Sequence, residues 1–252
     1  MTVLSASGLV KSYGGVKAVR GVDLRVDAGE LLALIGPNGA GKSTCFNMLM
    51  GQIAPDAGRV ELLGADITGQ APRRIWRQGV GRTFQITATF ASMLVRENVQ
   101  TALMSRHRRL GNLFLSATKL YAEGALALLE RVGMADQAER PCSVLAYGDL
   151  KRVELAMALA NDPKLLLMDE PTAGMAPTER QAMMALVAKL ARESRIAVLF
   201  TEHDMDAVFT HADRIVVLNR GRVIAEGEPA DVRADELVQR VYLGGGTMFG
   251  HV

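Results

Sequence analysis

The stretch GPNGAGKST, residues 36 to 44, has the residue types and the spacing of a loop that binds phosphate groups. Gly36, Gly41, Lys42 and Ser43 fill the pattern GxxxxGK[ST], between the apolar run LLALI and the helix-like run KSTCFNMLM. In such a loop the backbone N–H groups face phosphate oxygens, the lysine reaches the β and γ phosphates, and the hydroxyl can bind Mg²⁺. The predicted phosphate-binding residues are Gly36, Pro37, Asn38, Gly39, Ala40, Gly41, Lys42, Ser43 and Thr44.

Two carboxylates end a second apolar run, LLLMDE, at residues 165 to 170. The run predicts a buried strand with Asp169 and Glu170 at its C-terminal end, which is the edge where parallel sheets bind ligands. There Asp169 would hold Mg²⁺ together with Ser43, and Glu170 would polarise the water that attacks the γ phosphate. A carboxylate pair in this position can also cap a helix, and the phosphate loop in the same chain is the reason to favour catalysis.

Two further polar residues end predicted strands. His203 closes the run IAVLFTEH and could hydrogen-bond the γ phosphate or its attacking water. Gln85 closes the run GVGRTFQ and offers an amide that could bind Mg²⁺ or the same water. Taken alone, Gln85 is equally well a plain polar strand end, and a lone histidine at such a place is more often a surface or core residue.

The segment LAYGDLKR, residues 145 to 152, predicts a helix that starts near Tyr147 and Gly148. Hydrolysis needs positive partial charge on the outer face of the γ phosphate, and no arginine in the sequence is an evident source of it. The first N–H groups of a helix and its dipole supply about half a positive charge. We expect this corner to bind the nucleotide of a second subunit rather than its own. The corner residues are Ala146, Tyr147, Gly148 and Asp149.

The elements that must position these residues change character along the chain. The first third alternates short β-rich runs with turns, whereas residues 86 to 143 show helical spacing, for example at Leu120, Leu126, Leu129 and Val132. After this segment strands alternate with helices, which predicts a parallel sheet with crossover connections. A last helix near ADELVQRVYLG precedes a Gly-rich end.

Composition excludes several classes of function. Lys plus Arg total 29 against 27 Asp plus Glu, a net charge of +2, so no large field of one sign indicates a nucleic-acid partner. The two cysteines, Cys45 and Cys142, form neither a CxxC pair nor a cluster with histidines, which argues against a disulfide or metal framework. No run approaches the roughly 18 apolar residues that span a bilayer, so we expect a soluble cytoplasmic chain.

These motifs, in this order, resemble those of ABC-type ATP-binding subunits over nearly the whole chain. The resemblance implies an α/β fold: a P-loop NTPase of ABC type, whose mixed sheet carries a β-rich N-terminal subdomain and an inserted helical subdomain. The implied division is a catalytic core at residues 1–85 and 152–243, a helical subdomain with the corner at 86–151, and a flexible tail at 244–252.

The same resemblance implies ATP and Mg²⁺ as ligands and a head-to-tail dimer that sandwiches two nucleotides. Tyr13, in the segment KSYGG, would stack on adenine, with a plain turn tyrosine as the alternative. Glu170 would be the catalytic base and His203 the switch histidine. The implied metal ligands are Ser43, Gln85 and Asp169, and Gln85 would also contact the attacking water.

Within this family, the segments GRTFQ, YGD, EPTAGMAP and YLG are similar to those of branched-chain amino acid importers. Lipopolysaccharide exporters and urea or aromatic-acid importers have similar subunits and stay open as alternatives. The implied partners are a second ATP-binding subunit, identical or different, transmembrane permease subunits and, indirectly, a periplasmic or extracellular solute-binding protein. The implied location is peripheral, at the cytoplasmic face of the plasma (inner) membrane.

The chain departs from the family pattern within the corner. Ala146 stands where the family has a serine, so one hydrogen bond to the γ phosphate, about 1.5 to 3 kcal/mol, is missing. Asp149 stands where the family usually has glutamine or glutamate, and Ala176 stands where many members have Asp or Asn. A non-transport ABC protein acting on nucleic acid would usually carry two cassettes or a coiled coil. A phosphotransferase would need an acceptor pocket and would leave the corner without a role.

Overall fold

The computed structural model describes residues 1–83, 89–106 and 121–243. The strands are β1 (Thr2–Tyr13), β2 (Val16–Asp27), β3 (Leu31–Ile35), β4 (Ala57–Leu62), β5 (Ala65–Asp66), β6 (Val80–Thr83), β7 (Leu165–Asp169), β8 (Ala197–Thr201), β9 (Arg214–Asn219) and β10 (Arg222–Gly227). The helices are α1 (Lys42–Leu49), α2 (Pro72–Arg77), α3 (Val95–Arg106), α4 (Ala122–Arg131), α5 (Tyr147–Leu159), α6 (Pro177–Ser194), α7 (Met205–His211), α8 (Pro229–Ala234) and α9 (Glu236–Leu243).

A mixed sheet of six strands carries the predicted site residues, in the order β10-β9-β3-β8-β7-β6. Strands β9, β3, β8, β7 and β6 run parallel, and β10 pairs antiparallel with β9 at one edge. Parallel strands need crossover connections and a covering layer on each face, which is why every residue of β3 and β8 is buried. The structure confirms the predicted α/β fold with a mixed sheet.

A second sheet of four antiparallel strands, in the order β2-β1-β4-β5, makes the N-terminal part rich in β structure. The β-rich runs expected from the sequence begin with GVDLRVDAGE at residue 21, whereas residues 2–13 also form a strand, β1, which pairs with β2 along most of its length. The pairing shifts register between Ala6 and Leu9, around Gly8 at φ 60°. A register shift breaks the apolar alternation, so periodicity could not identify this strand.

The two faces of the six-stranded sheet pack against different layers. On one face, Leu31, Ala33 and Ile35 of β3 belong to a core that includes residues of α3 to α9. On the other face, Leu32 and Leu34 pack in a core with α1 and residues of the four-stranded sheet. Helix α1, and the phosphate loop that precedes it, are therefore held between the two sheets.

The helical segment between the β-rich part and the rest of the sheet contains α3 and α4, which pack against each other and against α5. Leu129 and Val132 are buried and Leu126 packs against the same core, as their helical spacing predicted. Leu120, Gln85 and the predicted tail at 244–252 lie outside the described residues. Within the described ranges, no helix combines the length and apolar character that a membrane span requires.

Candidate nucleotide-binding and hydrolysis site

The phosphate loop leaves the buried end of β3 and enters α1, so its shape is set by close packing on both sides. Gly36 has φ 153°, and a Cβ there would lie 2.2 Å from the carbonyl oxygen of Leu218. Gly41, at φ 110°, would place a Cβ 2.6 Å from the carbonyl oxygen of Ala18. Only glycine fits at these two positions, because the approaching atoms belong to backbone and cannot move aside.

The side chain of Lys42 folds back into the phosphate loop. Its Nζ donates to the carbonyl oxygens of Gly36 at 2.6 Å and Pro37 at 3.3 Å. Burial lowers the pKa of Lys42 from its usual value, and the nearby charges of Glu170 and Asp169 partly restore it. The ammonium therefore sits where the phosphate loop and the predicted catalytic carboxylates meet.

The turn between β9 and β10 supports the phosphate loop from outside, a contact that no motif in the sequence predicts. The N–H of Gly221 donates to the carbonyl of Ala40 at 2.9 Å, and the N–H of Arg20 donates to the carbonyl of Gly221 at 2.8 Å. A Cβ at Gly221 would lie 2.6 Å from the carbonyl oxygen of Ala18. The loop is thus attached to both sheets through backbone atoms.

Asp169 ends β7, and its carboxylate has a partner on each neighbouring strand. Thr201, opposite it at the end of β8, donates its hydroxyl to Oδ1 of Asp169 at 2.7 Å. Arg82 of β6 places Nη2 at 3.9 Å from Oδ2 of Asp169. Burial lowers the pKa of Arg82, whereas the charge of Asp169 raises it. The carboxylate is therefore oriented by contacts that involve three adjacent strands.

Glu170 takes a left-handed backbone conformation, with φ 49°. A conformation of this kind costs about 1–3 kcal/mol in a residue other than glycine, so the surrounding structure must hold it. Thr201 does so in part, because the N–H of Glu170 donates to both its carbonyl oxygen and its Oγ1, each at 3.1 Å. The side chain of Glu170 then lies with Oε1 at 2.9 Å from Nε2 of His203. The structure brings together these two predicted catalytic residues from different strand ends.

The donor set fits Mg²⁺. Asp169 contributes a carboxylate and Ser43 an exposed hydroxyl at the start of α1. Magnesium in nucleotide sites typically takes one or two protein oxygens and otherwise phosphate and water oxygens. The described residues include no group of three or more His, Cys, Asp or Glu that could hold a metal by themselves. Gln85, the third predicted metal ligand, lies outside the described residues.

The corner predicted to serve a second nucleotide is the start of α5. Ala146 is its N-cap residue, with an extended backbone and no side-chain cap. The ring of Tyr147 lies against Gly174, and the α-carbon of Gly148 faces Met175, both in the segment that follows Glu170. The corner thus rests on the loop that follows the predicted base.

Tyr13 ends β1 with an exposed ring, 49% accessible. Among the described residues, Lys11 places its Nζ 6.0 Å from the centre of this ring. An exposed ring is what adenine stacking would require.

The residues that hold the site residues in place were not predicted from the sequence. Thr201 and Arg82 orient Asp169, as described above. Arg180 of α6 donates to the carbonyl of Met175 at 2.8 Å and to Oδ2 of Asp204 at 2.5 Å, which ties the loop after Glu170 to the start of α7. The only signal in the sequence was that each of these polar residues lies beside a predicted motif. The residue that it contacts lies far away in sequence.

Comparisons with known proteins match this chain over most of its length. The family model described as ABC transporter matches residues 19–173, and one described as branched-chain amino acid ATP-binding cassette transporter matches residues 222–247. The chain is 39% identical to a high-affinity branched-chain amino acid transport ATP-binding protein of Pseudomonas aeruginosa, covering 96% of this chain and 98% of that protein.

Solved structures show the same fold. The crystal structure of an ATP-binding cassette of an ABC transporter in its ADP conformation matches with TM-score 0.87 and 32% identity, over 97% of this chain and 99% of that one. A dimeric post-hydrolysis state of another cassette, bound to ADP and Pi, matches with TM-score 0.75 and 26% identity, over 90% of this chain and 98% of that one.

Proposed function

We propose that this chain, which belongs to the ABC transporter ATP-binding family, powers the import of branched-chain amino acids through a separate membrane permease. ATP hydrolysis coupled to transport is the activity of this family, and this chain is an ATPase of that kind. The observation that carries the substrate class is the second family match, over residues 222–247, together with the name of the similar protein from Pseudomonas aeruginosa.

The hydrolytic step follows from the residues at the sheet edge. The loop N–H groups and Lys42 bind the β and γ phosphates. Glu170, held beside His203, accepts a proton from the water whose oxygen attacks the γ phosphorus, while the bridging oxygen leaves with ADP. Mg²⁺, bound by Ser43 and Asp169 and by the phosphates, would neutralise charge on the transferred group. Tyr13 would stack on adenine.

A second ATP-binding subunit completes each site in this proposal. The exposed Ala146 corner and the N–H groups at the start of α5 would bind the γ phosphate of the partner's nucleotide. The membrane part of the transporter, a permease with a solute-binding protein, would be supplied by other chains. The chain would bind that permease peripherally, at the cytoplasmic face of the membrane.

The experiment that tests this function is solute uptake by the organism that encodes the chain. Deletion of its gene should reduce uptake of radiolabelled leucine, isoleucine and valine, and a plasmid copy should restore it, whereas a copy with Glu170→Gln should not. Uptake of an unrelated solute, glucose, is the control. Unchanged branched-chain uptake, with loss of urea or aromatic-acid uptake instead, would contradict the substrate class but not the ATPase.

A further inference from the structure

Glu202 is a buried carboxylate, 4% exposed, in the residue directly before His203. Its Oε1 accepts two hydrogen bonds from Thr172, one from the N–H at 2.8 Å and one from the hydroxyl at 2.6 Å. Its Oε2 accepts the N–H of His203 at 3.2 Å. Because Glu202 and His203 are consecutive residues, the carboxylate joins its own segment, residues 202–203, to Thr172 through Oε1.

The two segments carry the two halves of the catalytic pair. Thr172, 1% exposed, comes two residues after Glu170, whose backbone is in the left-handed region. The second segment is residues 202–203, and the ring of His203 contacts the Glu170 carboxylate. The Glu202 side chain fixes how far this segment lies from Thr172, because its Oε1 accepts both the N–H and the hydroxyl of Thr172.

We propose that Glu202 is a positioning residue that holds the Glu170 loop against His203 through Thr172. The inference rests on the ATPase function proposed above. It predicts that Glu202 acts on the rate of hydrolysis and not on nucleotide binding, because neither it nor Thr172 belongs to the phosphate loop.

The discriminating variant is Glu202→Gln, which keeps the shape of the side chain but replaces one accepting oxygen with an NH₂ donor. In one orientation of the amide its NH₂ faces the N–H of Thr172, and in the other it faces the N–H of His203, so the arrangement that holds Thr172 is disturbed in both. The matched control is Glu30→Gln. Glu30 also bridges two segments, accepting the N–H of Asp27 at 2.6 Å and Nε of Arg214 at 2.8 Å, but it precedes β3 at the end opposite the phosphate loop.

The measurements are kcat and KM for MgATP of the full-length chain, with thermal unfolding to confirm folding. We expect Glu202→Gln to lower kcat at least tenfold with KM changed less than twofold, and Glu30→Gln to leave both within twofold. A kcat for Glu202→Gln equal to that of Glu30→Gln would overturn the proposal, as would a parallel change in kcat and KM.

A variant on the partner residue keeps the test decisive if Glu202→Gln does not fold. Thr172→Val removes the donated hydroxyl but keeps the N–H, and should lower kcat several-fold, whereas Thr172→Ser should restore it. The double variant Glu202→Gln, Thr172→Val should be no slower than the worse single variant, because both act through one contact. Additive losses, or no loss in Thr172→Val, would refute the proposal. A wild-type chain that binds ATP but never hydrolyses it would refute the proposed function, and this inference with it.

Discussion

Nε2 of His203 lies 2.9 Å from Oε1 of Glu170, although the two residues are separated by a whole helix and a strand in sequence. They meet because β7 and β8 are parallel neighbours, so the residues that follow them emerge at the same edge. The predicted base is thus already oriented by protein contacts when the nucleotide arrives, which reduces the reorganisation needed for hydrolysis.

Replacing the base should separate ATP binding from ATP hydrolysis. Glu170→Gln removes the proton acceptor but keeps the shape, so we expect turnover to fall at least 100-fold while ATP still binds. Blocked hydrolysis should also trap a closed dimer, measured as mass by light scattering behind a sizing column with MgATP. A monomer that binds ATP would indicate that two identical chains do not suffice.

Space at the phosphate loop should determine which glycines tolerate a methyl group. Gly36→Ala would place its Cβ 2.2 Å from a backbone oxygen, so we expect a loss of more than about 2 kcal/mol in stability and of nucleotide binding. Gly39→Ala is the control for stability, because φ is also positive there, at 77°, but no atom lies within 4 Å of its Cβ position. Denaturant unfolding measures the stability of both variants and ATP titration measures binding by Gly36→Ala; equal losses of stability would show that backbone strain, not contact, is responsible.

Restoring the missing hydroxyl should strengthen dimer closure. Ala146→Ser adds a donor toward the partner's γ phosphate, about 1.5 to 3 kcal/mol, and we expect the ATP-dependent dimer to form at tenfold lower protein concentration. A serine at an N-cap also stabilises its helix, by about 1 kcal/mol. Ala71→Ser is therefore the control, since Ala71 is an uncapped N-cap of α2. Equal dimerisation in both variants would mean that the corner does not bind the nucleotide.

Removal of the metal ligand should leave Mg²⁺-independent nucleotide binding intact. With Asp169→Asn the affinity for ATP in EDTA should be unchanged, while the gain in affinity on adding Mg²⁺ should shrink and hydrolysis should fall at least 100-fold. Titration of ATP with and without Mg²⁺ measures both. An undiminished Mg²⁺ effect would show that the metal is held without Asp169.

Stability should fall at alkaline pH through Cys45. Burial raises the pKa of this thiol to about 12 from an ordinary 9.0, so it stays neutral in the folded chain while the unfolded chain ionises above pH 9. Its contribution to stability is present below pH 9 and is lost as pH rises toward 12, about 1.4 kcal/mol by pH 10. The free energy of unfolding, measured with denaturant, should fall less between pH 8 and pH 10 in Cys45→Ala than in wild type. An equal fall in both proteins would show that other groups cause the loss.

The phosphate loop and the carboxylate pair could be predicted from sequence because each is contiguous. The glycines, Lys42 and Ser43 act within nine residues, and the strand before them and helix after them are local patterns. The start of α5 at Tyr147 could also be predicted from a short contiguous pattern. Strand β1 was missed, because its register shift hides the apolar alternation until β2 pairs with it.

The contacts that support the site were decided only by tertiary structure. Thr201 holds Asp169 and Glu170 because β8 inserts between β3 and β7, an order that no local pattern encodes. The same strand order brings Glu202 to Thr172, thirty residues away. The sequence therefore determined which groups are proposed to do the chemistry, since these lie in short motifs. Their mutual distances depend on which strands become neighbours, and that is set by burial of the whole sheet.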